Sequence, residues 1–179
     1  MKRKSPMPSP HVCAFCKMDL VPALIRPKSV LGIISEFPGP VEVLTGKPFS
    51  GPAGGILRAE LIRVGIDVDT CTITNVWMHP IVKACKGHDW HLACCLRAVK
   101  HCKIILLLGS TACESILDQS VLDVSGLRLT SRFLKDVPIY SAPNPAALFY
   151  GPVGELRLAF EKLSKAKELR NGKEKSRKH

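Results

Sequence analysis

No stretch of the chain is long and apolar enough to cross a bilayer as a helix, which removes a membrane-spanning role from consideration. A secretory leader is not expected either. The basic start Met1-Lys2-Arg3-Lys4 runs into Ser5-Pro6-Met7-Pro8-Ser9-Pro10 where a leader would carry a continuous apolar segment, so a cytoplasmic location is expected. There is no internal repeat, and low complexity is confined to the two ends, which excludes a solenoid and a largely disordered scaffold. Acidic residues are scarce: 15 Asp and Glu stand against 26 Lys and Arg, a formal net charge of +11 that favours a polyanionic partner. Much of the excess sits at the start and beyond Lys162, and nothing apolar follows Leu169. The ends therefore read as solvated tails, open to nonspecific electrostatics.

What remains suffices for one domain. The 179 residues are 46% hydrophobic, enough to fill a sizeable core. We place that domain at residues 13–162, between a basic, proline-rich tail (1–12) and a basic helix end and tail (163–179). Runs of strand type at 30–34, 72–77, 104–108 and 137–140 alternate with helical spacing at 53–64, at 88–99, after Gly109 and at 154–169. Within 53–64, Leu57, Leu61 and Ile62 form the expected inner side. This order predicts an α/β fold, a three-layer α/β/α sandwich with a central four-stranded parallel sheet. In a cytoplasmic chain the eight cysteines are thiols or metal ligands rather than disulfides.

Ligands of such sheets bind at the carboxyl ends of the strands, where the loops of Glu36, Asn75, Gly109 and Asn144 should converge. The first loop is the most informative. Between Ile33 and Leu57 an apolar strand stops at Glu36, meets Pro38-Gly39, and continues past Glu42 and Phe49 into a helix. Glycine lets backbone approach a ligand closely, a phenyl ring offers a stacking face, and the carboxylates supply charge. An ordinary Gly-Pro loop fits the local pattern equally well.

Taken together, the four loops resemble the uracil-DNA glycosylase superfamily, most closely its iron-sulfur branch, family 4. One ungapped motif carries the likeness through Ser35-Glu36-Phe37-Pro38-Gly39, Glu42, Gly46-Lys47-Pro48-Phe49, Gly51, Ala53-Gly54 and Leu57. Three more segments add to it: Ile73-Thr74-Asn75-Val76, Leu108-Gly109-Ser110-Thr111-Ala112 and Asn144-Pro145-Ala146-Ala147-Leu148. The resemblance implies that a target base is rotated out of the DNA stack into a pocket. Glu36 would position the attacking water, and Glu42 would lie near the base's C5 edge or assist catalysis. Phe49 would stack on the base and Asn75 would pair with its edge. Phe37 and Gly39 border the pocket, Gly39 standing where some branches place a tyrosine that blocks a C5 substituent, so that direction is expected to be open. Asn144 replaces the family histidine that would support the departing base anion, leaving that task to a neutral amide. Gly109, Ser110 and Thr111 open a helix whose amides would take a phosphate or serve only as a cap. Leu148 and Phe149 would wedge into the duplex or pack under the closing helix.

The cysteines extend the resemblance. Cys13-Ala14-Phe15-Cys16 has the spacing of two thiolates on one metal centre, although CxxC also fits a redox motif. By similarity the third ligand falls at His79 and the fourth at Cys85, with His88 as runner-up. Family membership implies a 4Fe-4S cluster, and the histidine raises zinc as the alternative. Cys71, Cys94, Cys95, Cys102 and Cys113 read as small buried hydrophobes. The expected function is that of a monomeric, monofunctional DNA glycosylase. It would hydrolytically release uracil or a modified pyrimidine from single- or double-stranded DNA, with no lysine in a nucleophile position. An antiviral enzyme removing hypermodified cytosine from phage DNA and a noncatalytic damaged-base DNA-binding module are the alternatives.

Overall fold

The computed structural model describes residues 12–149 and 154–176, with side chains up to residue 166. The tail expected over 1–12 lies outside the described residues apart from Val12. One sheet has the order β2-β1-β3-β5-β4, built from β1 Leu31–Ser35, β2 Thr72–Asn75, β3 Ile104–Leu108, β4 Arg128–Ser131 and β5 Leu134–Ala142. The expected four parallel strands are β1, β2, β3 and β5, and β4 adds a fifth, antiparallel strand at the edge. Its sequence, Arg-Leu-Thr-Ser, has no apolar run because an edge strand buries little, and a charged residue there discourages pairing with another chain.

Helices α1 Pro40–Thr45 and α2 Pro52–Arg63 each begin with proline at the first position, where a missing N–H costs nothing. Helix α3 His88–Val99 and α4 Ser110–Leu117 follow β2 and β3, α5 Val121–Val124 is a single turn, and α6 Gly154–Ser176 closes the chain. Helix α6 runs past the expected end at residue 169. Leu57 and Leu61 are fully buried, but Ile62 is 61% exposed. At about 100° per residue it has turned away from the Leu57 and Leu61 stripe, which corrects its assignment to the inner side.

Two apolar layers make the sandwich. Ile33, Ile73, Ile104, Leu106 and Leu108 pack with Leu57 and Leu61 of α2 and with Leu156, Phe160 and Leu163 of α6. Ile34, Ile105 and Leu107 face Leu92, Cys95 and Val99 of α3 and Cys113 and Ile116 of α4. With both faces covered, β3 must be apolar at every position, which is why it reads as a continuous run rather than an alternating one. Among the described residues, no helix is long and apolar enough to cross a membrane.

Polar contacts fasten α6 to α2. Glu60 accepts hydrogen bonds from Arg157 at 3.0 to 3.2 Å and from Arg63 at 3.0 Å, and Arg63 also reaches Glu161 at 3.1 Å. The Arg157 guanidinium, outweighing burial and aided by Arg63, holds the Glu60 carboxyl below its ordinary value of 4.5. Because the folded value is depressed, its stabilising contribution is complete above pH 4.5 and is lost as the pH falls through the folded value. Glu60→Gln should lower stability by about 1 kcal/mol near neutral pH, the exposed arginines limiting the effect, and the deficit should shrink on acidification. Denaturant titrations of both proteins across the acidic range check this.

Candidate active site and metal centre

Parallel pairing puts the ends of β1, β2, β3 and β5 at one edge of the sheet, and the order in which strands are added reverses between β1 and β3, the position where open α/β sheets form a crevice. Glu36, the residue after β1, reaches across that crevice. Its Oε1 accepts the N–H of Thr111 at 3.0 Å, and its Oε2 accepts Nδ2–H of Asn144 at 2.6 Å. Asn144 Oδ1 accepts the Ala146 N–H at 2.9 Å, so the network itself fixes which way the amide faces and leaves one Nδ2 hydrogen uncommitted. Gly109 lies directly behind the carboxylate at φ +93°, and a Cβ there would stand 2.4 Å from Glu36 Cδ. Both the backbone angle and the close approach require glycine. Of the two readings for the start of α4, the Thr111 amide thus serves the chain's own carboxylate.

Glu36, Phe37, Gly39, Glu42, Phe49, Asn75 and Asn144 line one cavity of about 400 Å³. Phe49 has φ +53°, rare for an aromatic residue, and the first turn of α2 sits against its backbone so tightly that a Cβ on Gly54 would lie 1.8 Å from Phe49 O. Glu42 is buried, its Oε1 accepting the Gly51 N–H at 2.7 Å. A Cβ on Gly39 would meet Glu42 Oε2 at 2.8 Å, so this carboxylate stands directly beside Gly39. Asn75 is 5% exposed, yet its amide has no hydrogen bond among the described residues. An amide that lines a cavity without a protein partner offers a free donor and acceptor pair.

The five candidates for DNA contact lie outside the cavity lining. Gly109, Ser110 and Thr111 stand behind Glu36 at the start of α4. Leu148 packs against the core layer beneath α2 and α6, whereas Phe149 is 53% exposed. Only Leu148 is thus placed by packing.

The ligand atoms of Cys13, Cys16, His79 and Cys85 all lie within 4.8 Å of one another, so these four residues could hold a metal ion. Cys13 Sγ is 3.8 Å from Cys85 Sγ, and Cys16 Sγ is 3.2 Å from His79 Nε2. The CxxC loop is a tight knuckle closed by Cys13 N–H to Met18 O at 2.8 Å and turned at Lys17, φ +64°. His88 is not part of the group; its Nε2 lies 3.1 Å from Ser115 Oγ. His91, not singled out from the sequence, borders the group: it is fully buried with Nε2 3.5 Å from Cys13 Sγ and 4.0 Å from Cys85 Sγ. The readable signal was its place one helical turn after His88, on the face of α3 that packs inward.

Burial pushes the Cys85 thiol up, and it would do the same to Cys13 had not the amides of Phe15 and Cys16 and the neighbouring Cys16 and His79 side chains brought that thiol down. His91 falls to about 4 through burial, with His79 and His88 adding to the effect, so it is neutral at pH 7. Cys95 and Cys113 rise to about 12 by burial, which makes them inert packing groups. Cys71 and Cys102 are buried too, and Cys94 is half-buried.

A parallel α/β sheet whose strand-end cavity joins a held carboxylate, an aromatic ring and an unpartnered amide defines a domain suited to a planar ring with its own donors and acceptors. The chain belongs to the uracil DNA glycosylase superfamily, whose sequence model matches residues 22–167. It is similar to the type-4 uracil-DNA glycosylase of Archaeoglobus fulgidus, with 27% identity over 159 residues, 81% of this chain and 78% of that enzyme.

Gly109→Ala tests the Glu36 contact. The added methyl should force the carboxylate away from Thr111 and lower stability by about 1–3 kcal/mol. Thermal denaturation with a crystal structure of the variant checks both effects, and an undisplaced Glu36 would contradict the reading.

Proposed function

We propose that the protein is a monofunctional DNA glycosylase that hydrolyses the N-glycosidic bond of uracil or a related pyrimidine in DNA and leaves an abasic site. The observation that carries this reading is the meeting of Glu36, Phe49 and Asn75 in one cavity at the switch point of the sheet. A nucleotide rotated out of the stack would enter that cavity, with the base lying against the Phe49 ring. The Asn75 amide offers an acceptor for N3–H and a donor for O4 of uracil, two hydrogen bonds along one edge.

As the glycosidic bond breaks, its electron pair goes to the base and positive charge grows on the sugar. The Glu36 carboxylate faces that charge and orients a water for attack at C1′, taking up its proton as the new C–O bond forms. Thr111 and Asn144 hold the carboxylate at the angle this requires. The remaining Nδ2 hydrogen of Asn144 is available to the oxygen of the departing base anion. This neutral donor does the work that the family assigns to histidine. Glu42, held by Gly51, borders the cavity as a negative wall that orients the base. Exposed Phe149 fills the gap left in the duplex, and the basic surface holds the phosphates. The metal centre ties the N-terminal segment to the domain and takes no part in the chemistry. The protein acts as a monomer in the cytoplasm.

Release of a modified cytosine is a second reading, favoured by one observation. No hydrogen bond among the described residues fixes the orientation of the Asn75 amide, so its two ends can exchange and meet the reversed donor and acceptor order of a cytosine edge.

Glu36→Gln should reduce base release by about 10²–10⁴-fold with little change in DNA affinity. Single-turnover assays on uracil-containing and modified-cytosine DNAs, read by alkaline cleavage of abasic sites, measure the first quantity and filter binding the second. Unchanged turnover would reject the role given to Glu36, and release from no substrate by wild-type protein would favour a noncatalytic base-binding module.

A further inference from the structure

We propose that Cys13, Cys16, His79 and Cys85 hold one tetrahedral zinc ion in place of the 4Fe-4S cluster that family resemblance implies. The inference is independent of which base the cavity receives. It rests on the size of the ligand cage. With Zn–S bonds of about 2.3 Å and Zn–N of about 2.0 Å, tetrahedral angles put the ligand atoms about 3.5 to 3.8 Å from one another. Two contacts lie near that scale, 3.8 Å between Cys13 Sγ and Cys85 Sγ and 3.2 Å between Cys16 Sγ and His79 Nε2, and no pair lies beyond 4.8 Å.

A cubane makes a different demand. Each protein ligand binds a different iron at a different corner, with bridging sulfides between the irons, so the ligand atoms stand roughly 6 Å apart. The four side chains converge on a space that holds one ion and leaves no room for four irons and four sulfides.

The surroundings agree with a closed structural site. His79 Nδ1 lies 2.6 Å from Pro80 O, which places its hydrogen there and leaves the Nε2 lone pair to face the three sulfurs. His91 Nδ1 accepts the Met78 N–H at 3.4 Å, so its Nε2 carries the hydrogen and donates toward Cys13 Sγ. The Phe15 N–H donates to the same sulfur at 3.4 Å. Three thiolates and one neutral imidazole around Zn²⁺ carry a net charge of −1, and these two N–H groups stabilise it. Cys13 and His79 are fully buried, Cys85 is 6% exposed and Cys16 is half-buried, and four protein ligands are enough to complete a tetrahedral shell. Zinc has no redox chemistry, so the centre acts as a staple between the CxxC knuckle and the segment joining β2 to α3.

The test is metal and sulfide analysis of the full-length protein, purified anaerobically from cells supplied with both iron and zinc. One zinc per chain, no acid-labile sulfide and no visible absorption are expected. Cobalt exchanged into the site should give the intense visible bands of tetrahedral thiolate coordination. His79→Ala and Cys85→Ala should lose the metal, whereas His88→Ala should retain it. Four irons with four sulfides in brown protein would overturn the proposal, as would a single iron or stable wild-type protein that carries no metal. Analysis of the wild-type chain decides the matter even where a ligand variant does not fold.

Discussion

Glu36 leaves the end of β1 and accepts one hydrogen bond from the backbone of Thr111, 75 residues on, and another from the side chain of Asn144, 108 residues on. Through that carboxylate the loops that follow β1, β3 and β5 are registered against one another, and the cavity has a defined floor. The arrangement needs a residue without a side chain behind it, which Gly109 supplies, and an amide whose orientation is fixed from its other end, which Ala146 supplies. A parallel sheet makes such a junction possible, because all its strand ends that matter here lie on the same side.

The same group is proposed to act on water, and the two roles support each other. A carboxylate held by two donors at fixed positions loses little freedom when a substrate arrives, and the lone pairs not used by Thr111 and Asn144 remain for the water. Replacing the family histidine by Asn144 therefore exchanges one kind of support for another: the amide braces the acid and still has a hydrogen to offer. Asn75 is the opposite case. Among the described residues it has no hydrogen-bond partner for its amide, which leaves both ends of that amide available to a ligand in the cavity.

The metal cage and the cavity answer different needs. The CxxC knuckle leaves Phe15 half exposed, and the convergence of Cys13 and Cys16 with His79 and Cys85 sets it against the layer formed by α3 and its neighbours. Trp77 packs beside His79, His88 and His91, with ring centroids 5.1 to 5.8 Å away, and keeps solvent from the cage. The basic termini, by contrast, bring charge, which fits a polyanion gripped without sequence preference.

Local pattern was enough for much of the fold. The apolar run 104–108 and the helical spacing 88–99 coincide with β3 and α3 because these elements bury whole faces, and burial writes itself into periodicity. Edge strand β4, the short helix α1 and the outward turn of Ile62 were not legible, since elements that bury little leave little pattern. The candidate residues could be named from motif spacing, and the parallel order of strands implied that their loops share an edge. Which groups touch was beyond the sequence. The bond from Asn144 to Glu36, the carboxylate of Glu42 in the space beside Gly39, the separation of Leu148 from Phe149, and the approach of His91 to Cys13 join residues or directions that no local period relates. Sequence determined the elements and the chemical inventory, because propensity and burial act over a few neighbouring residues. Tertiary structure alone decided the pairings and the width of the metal cage, because those distances are set only when the packed layers close.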